Sequence, residues 1–130
     1  MKVLLLEDVR LIQKLITNFL GDLAVVDTAE NGLSAMRMVQ ESIKKDERYD
    51  VIFLDVLIPD LNGLQVLKEI RKAEAENNIA PEKRSKIIMV STITDENTVK
   101  KALAEGCDGY IAKPFSKDRL LTELKSLKLI

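Results

Sequence analysis

Glu7-Asp8, Asp55, Ser91-Thr92 and Lys113 each follow the end of a short apolar run. Three carboxylates, a hydroxyl and an ammonium suit one chemistry well, phosphoryl transfer onto a carboxylate through a hard metal ion. Clustered carboxylates repel: at ~5 Å and an effective dielectric of ~20, each pair costs on the order of 3 kcal/mol. A divalent cation relieves this, and oxygen-only ligands favour magnesium, manganese or calcium over zinc. The cation then neutralises a phosphoryl group during in-line attack, for which a carboxylate is an adequate nucleophile. Lys113 can add positive charge, and the Ser91 hydroxyl can donate to a phosphoryl oxygen. Taken alone, Asp55 reads as the first residue of a solvated turn; only the recurrence of such chemistry at other strand ends argues otherwise.

The elements that must bring these residues together are legible as alternating patterns. Val51 to Leu54 is a continuous apolar run followed by Pro59 and Gly63, and it reads as a buried central strand. Val3 to Leu6, Ala24 to Val26, Ile87 to Val90 and Gly109 to Ala112 supply four more strands. Between them the apolar spacing becomes helical. Ile12, Leu15, Ile16, Phe19 and Leu20 form one stripe; Met36, Val39 and Ile43 form a second, entered through Asn31-Gly32. Leu64, Leu67 and Ile70 mark a third helix, and Val99, Ala102 and Leu103 a fourth that Gly106 closes. A fifth opens at Ser116, a good N-cap, and carries Leu120, Leu121, Leu124 and Leu127. From Lys72 to Ser85 the chain turns polar and reads as a helix end and an exposed loop.

Strands alternating with helices imply right-handed βαβ units, hence an α/β fold with a doubly wound, five-stranded parallel sheet and five helices. Apolar strands need helices on both faces. In a parallel sheet all carboxyl ends share one edge, where ligand sites form. The strand-end residues therefore converge.

The 130 residues suit one domain, residues 1–130. Lys and Arg (20) nearly balance Asp and Glu (21), and the basic residues gather on no face, so no direct nucleic-acid contact is expected. No apolar stretch approaches a membrane span, and with Met1 leading straight into a strand no signal peptide is expected. A single cysteine, Cys107, excludes an internal disulfide and points to a reducing cytoplasm. Cys107 reads as core filling, since the absence of histidine leaves no such base beside it. That absence also removes His-based triads, most zinc sites and any phosphohistidine within the chain.

The chain resembles the receiver domain of two-component response regulators, in form a single-domain regulator of the chemotaxis type. The motifs that carry the resemblance are Glu7-Asp8, Asp55, Pro59 with Gly63, Ser91, and Lys113-Pro114-Phe115, and it covers essentially the whole chain. The resemblance implies a flavodoxin-like sheet of order 2-1-3-4-5. It implies Asp55 as phosphoacceptor, with Ser91 and Lys113 assisting. Asp8, Asp55 and the main-chain carbonyl of Leu57 would bind magnesium (manganese being a substitute), with Glu7 acting through water. A cis bond at Lys113-Pro114 is implied too. Partners would be a histidine kinase or phosphotransfer protein, and a downstream protein on the face formed by the fourth helix, fifth strand and fifth helix. Tyr110 reads as ordinary strand packing from its residue type, and as the switch aromatic, coupled to Ser91, by resemblance. Such a domain catalyses only its own phosphorylation and dephosphorylation. With the chain ending just after the fifth helix, the expected output is a protein contact.

Several positions depart from the family pattern. Ser91 replaces the commoner threonine, and Thr92 stands where a smaller residue is usual. Leu57 and Ile93, at positions that tune hydrolysis, are apolar and should keep water from lining up behind the phosphoryl group, so self-dephosphorylation is expected to be slow. The polar loop at 77–85 looks longer than usual. Two other functions compete. An aspartyl-nucleophile phosphatase usually has a second aspartate two residues after the first, where this chain has Leu57. A receiver-shaped binding module that is never phosphorylated usually loses one of the acids, and here the set is complete.

Overall fold

A computed structural model describes all of residues 1–130. The element order is β1 (Lys2–Leu6), α1 (Arg10–Leu20), β2 (Val25–Ala29), α2 (Gly32–Lys44), β3 (Val51–Leu54), α3 (Gly63–Glu76), β4 (Lys86–Ser91), α4 (Glu96–Ala104), β5 (Gly109–Ala112) and α5 (Lys117–Ser126), with short 3-10 turns at Gly21–Leu23 and Pro81–Lys83. The strands form one parallel sheet of order β2-β1-β3-β4-β5, the flavodoxin-like order expected.

Side-chain alternation along each central strand divides the core in two. Leu4, Leu6, Ile52, Leu54, Ile87 and Met89 face a cluster completed by α2, α3 and α4 through Ala35, Val39, Val66, Leu67, Ile70 and Ala102. Val3, Leu5, Val51, Phe53, Ile88 and Val90 face the opposite cluster, closed by Ile16 and Leu20 of α1 and Leu120 and Leu124 of α5. Every one of these is buried, which is why the strands read as unbroken apolar runs rather than alternating ones.

Four expectations need correction. Leu15 and Leu103 lie on helical stripes but are 42% and 54% exposed, because α1 and α4 each bury a narrower face than the spacing suggested. The edge strand β2 begins at Val25 and runs on to Ala29; one of its sides has no neighbouring strand, and its mixed composition hid its length. β2 also departs from the expectation that every strand is apolar on both faces, since Val25 and Thr28 are exposed. The segment after Ile70 is not simply exposed: α3 continues to Glu76, and Ala73, Glu74, Ile79 and Ser85 are buried. Charge disguised that burial. Glu74 is paired with Arg71 at 2.7 Å and its other oxygen accepts from Ser85 N at 2.9 Å.

Candidate functional site

Register alone sets the centre of the site. Leu6 pairs with Leu54 across β1 and β3, so Glu7 and Asp55 emerge side by side on neighbouring strands. Ser91 pairs with Ala112 across β4 and β5, and Lys113 N donates to Ser91 O at 2.9 Å. Sheet order reverses between β1 and β3, so this edge is the topological switch point.

Lys113 draws the group together. Its Nζ lies 2.5 Å from Glu7 Oε1 and 2.7 Å from Asp55 Oδ2, with the lysine and Asp55 side chains each 11% exposed. Burial works against the ammonium, but hydrogen bonds to Asp55 and Glu7 and their charges outweigh it, so Lys113 holds its proton above the ordinary lysine range. One lysine thus offsets two acids, and the repulsion expected from sequence is already largely relieved. Asp8, next to Glu7 in the chain, is exposed, and its side chain forms no hydrogen bond or ion pair. No group of three His, Cys, Asp or Glu side chains is placed to hold a metal ion without other ligands.

The loop after Asp55 folds tightly back on itself. Leu57 N donates to Asp55 Oδ1 at 3.1 Å, Leu57 bridges to Asn62, and Gly63 N donates to Val56 O at 2.8 Å. A side chain at residue 63 would place its Cβ 1.8 Å from the Asp55 carbonyl oxygen, which only glycine avoids. This explains physically why residue 63 is glycine. Leu57 itself is exposed.

On the other side, Ser91 is fully buried and its Oγ accepts from Ile93 N at 3.1 Å. The Tyr110 hydroxyl donates to the carbonyl of that same Ile93. Ser91 and Tyr110 are thus joined through one backbone residue. Tyr110 is half-buried against the core, and burial, reinforced by the Asp55 charge, pushes its phenol up. Both expected attributes of Tyr110, packing and proximity to Ser91, coexist. Thr92 is exposed. The Lys113–Pro114 bond is cis, as the resemblance implied. Cys107 lies outside the site, buried, and burial pushes its thiol up to about 11, consistent with core filling.

Residues 3–125 match the family model described as the response regulator receiver domain. The chain belongs to that family. Among curated receivers, the chemotaxis protein CheY of Listeria monocytogenes is 31% identical over 127 residues, covering 96% of each chain. The probable C4-dicarboxylate response regulator DctR of Bacillus subtilis is 33% identical over 130 residues, covering 98% of this chain; the chain spans about half (52%) of that relative. Among solved receivers, the receiver domain of a sensor histidine kinase from Pseudomonas aeruginosa PAO1 has a TM-score of 0.78 and 28% identity, covering 96% of this chain and 94% of that one. That structure has a magnesium ion coordinated in its active site cleft.

The receiver's donor set here is compatible with such an ion. Every candidate ligand is an oxygen: the Asp8 and Asp55 carboxylates, the Leu57 carbonyl, and Glu7 behind them. Magnesium keeps several waters and needs only one or two carboxylates, so it does not require the enclosed cluster that is missing. Two participants escaped the sequence reading. Gln13 donates from Nε2 to Glu7 O at 2.5 Å, and Asp60 ties the acceptor loop to α2. Only the position of Asp60 directly after Pro59 could have signalled the second.

Proposed function

We propose that this receiver, residues 1–130 acting as one domain, accepts a phosphoryl group from a partner's phosphohistidine onto Asp55 and signals by protein contact. The observation that carries the reading is the placement of Lys113 between Asp55 and Glu7, 2.7 and 2.5 Å from each, at the switch-point edge. Asp55 is the nucleophile. Lys113 holds a permanent proton beside the position where phosphoryl charge develops. Asp8, Asp55 and the Leu57 carbonyl would hold magnesium, with manganese as substitute and Glu7 acting through water, and the ion would supply charge neutralisation for the transferred group.

The phosphorylated side chain carries roughly −1.5 to −2 charges in place of one carboxylate. The Ser91 hydroxyl, which now accepts from Ile93 N, turns to donate to a phosphoryl oxygen. Ile93 loses that bond, and Tyr110, held to the Ile93 carbonyl, is freed to repack. The face of α4, β5 and α5 changes with it, as a shift between two populations. Apolar Leu57 and Ile93 keep water from the phosphoryl group, so the phosphorylated form is long-lived. The chain acts on no other substrate and works in the cytoplasm, between a histidine kinase or phosphotransfer protein and a protein target. No helix is long and apolar enough to cross a membrane.

Magnesium binding is tested by thermal melts. The ion raises the melting temperature of the wild type and raises that of Asp55→Asn much less, because the substitution removes a charged ligand. Equal stabilisation of both would contradict metal binding by Asp55.

A further inference from the structure

Asp55 aside, only one side chain of the loop between β3 and α3 is hydrogen-bonded to an element beyond the loop and the helix that follows it. That side chain is Asp60. Its Oδ1 accepts from Gly32 N at 2.8 Å and its Oδ2 from Leu33 N at 3.1 Å. These are the first two amides of α2, which a helix cannot satisfy internally. Asn31 serves the next one, accepting from Ser34 N at 2.8 Å. The Gly32 amide, more than any other contact, holds the Asp60 carboxyl below its usual range.

The fit at this junction is close. A Cβ on Gly32 would stand 2.9 Å from Leu61 Cδ1 and 3.2 Å from Ile58 Cδ1, so the loop rests directly on the start of α2. Within the loop Leu57 is bonded to Asp55 and Asn62 and Gly63 to Val56, while Asp55 at its start is paired with Lys113 and Asn62 at its end accepts from Leu64 N. These fix the loop's shape and its two ends but give its tip no polar hold on a neighbouring element. Asp60 supplies the polar anchor.

We propose that Asp60 is a positioning residue for the metal site: by clamping the loop to α2 it holds the Leu57 carbonyl in place beside Asp55. This rests on the magnesium reading given above. Groups that orient ligands without touching the metal commonly change its affinity 10–100-fold, and a loop whose ends are also held, through Asp55 and Asn62, belongs at the lower end, about tenfold.

Calorimetric titration of magnesium into the wild type, Asp60→Ala, Asp60→Asn and Asn31→Ala tests this, with melting temperatures measured in parallel. Asp60→Ala and Asn31→Ala each remove a cap from the same helix, so both melt lower. Only Asp60→Ala weakens magnesium, by about tenfold, and Asp60→Asn recovers part of the loss because its amide oxygen still accepts one bond. Unchanged affinity in Asp60→Ala overturns the role, as does an equal weakening in Asn31→Ala, which would trace the effect to helix stability. A wild type that binds no magnesium overturns the magnesium reading itself, and this role with it.

Discussion

Arg71→Ala lowers stability by about 3–5 kcal/mol, the range for removing one partner of a buried ion pair. In a domain of this size that is a fall on the order of 10–20 °C in melting temperature. Arg71 joins three segments at the amino-terminal end of the sheet. Its Nη1 donates to Glu74 Oε1 at 2.7 Å and to Ser85 O at 2.8 Å, its Nη2 to Asp108 Oδ2 at 2.8 Å, and its Nε to Gly106 O at 3.0 Å. Glu74 is 1% exposed and keeps only the Ser85 amide once the guanidinium is gone. Asp108 in turn accepts from Ile87 N at 2.9 Å, so the loss reaches the starts of β4 and β5. Arg71→Lys restores little, because one ammonium cannot reproduce a planar fork aimed at two acids and two carbonyls. Chemical denaturation of the variants measures this directly. A loss below about 1 kcal/mol, typical of exposed pairs, would contradict a buried network.

Lys113→Ala has the second large effect, on chemistry as well as stability. It leaves Glu7 and Asp55, both nearly buried, without the ammonium that contacts them. Stability at neutral pH falls by about 3–5 kcal/mol, and the additional change Asp55→Asn recovers part of it by removing one of the stranded charges. The pH dependence has a definite sign. Lys113 holds its proton above the ordinary lysine value of 10.5, so its contribution is fully present below that pH. It is lost as pH rises through the folded value, and Lys113→Ala lacks this alkaline step. Phosphorylation by a small donor slows roughly 10²-fold, the usual consequence of removing one preorganised charge from a transition state. A variant as fast and as stable as the wild type would remove Lys113 from the site.

Much of this was readable from the chain because two periodicities and one edge rule suffice. Val51 to Leu54 announced a strand buried on both faces, and parallel strands placed Asp55, Glu7, Ser91 and Lys113 on one edge without any coordinate. What could not be read was the company each charge keeps. Lys113 looked like a source of positive charge for a ligand, whereas it already bridges Glu7 and Asp55. Residue type alone puts Asp8 and its neighbour Glu7 in one set of carboxylates, yet one is exposed and the other buried. Arg71, Glu74 and Asp108 gave no signal, since charged residues near a helix end are ordinarily solvated and their pairing depends on segments far apart in sequence. Leu15 and Leu103 erred the other way. Helical spacing gives the face of a helix but not how much of that face its neighbours cover.

Intact mass after incubation with acetyl phosphate, with and without magnesium, tests the central claim most directly. The expected result is a gain of one phosphoryl group in the wild type that requires magnesium, is absent in Asp55→Asn, and decays over minutes or longer once the donor is removed. A wild type that gains no phosphoryl group from acetyl phosphate or from a phosphohistidine donor, or an Asp55→Asn variant that gains one equally, would contradict it.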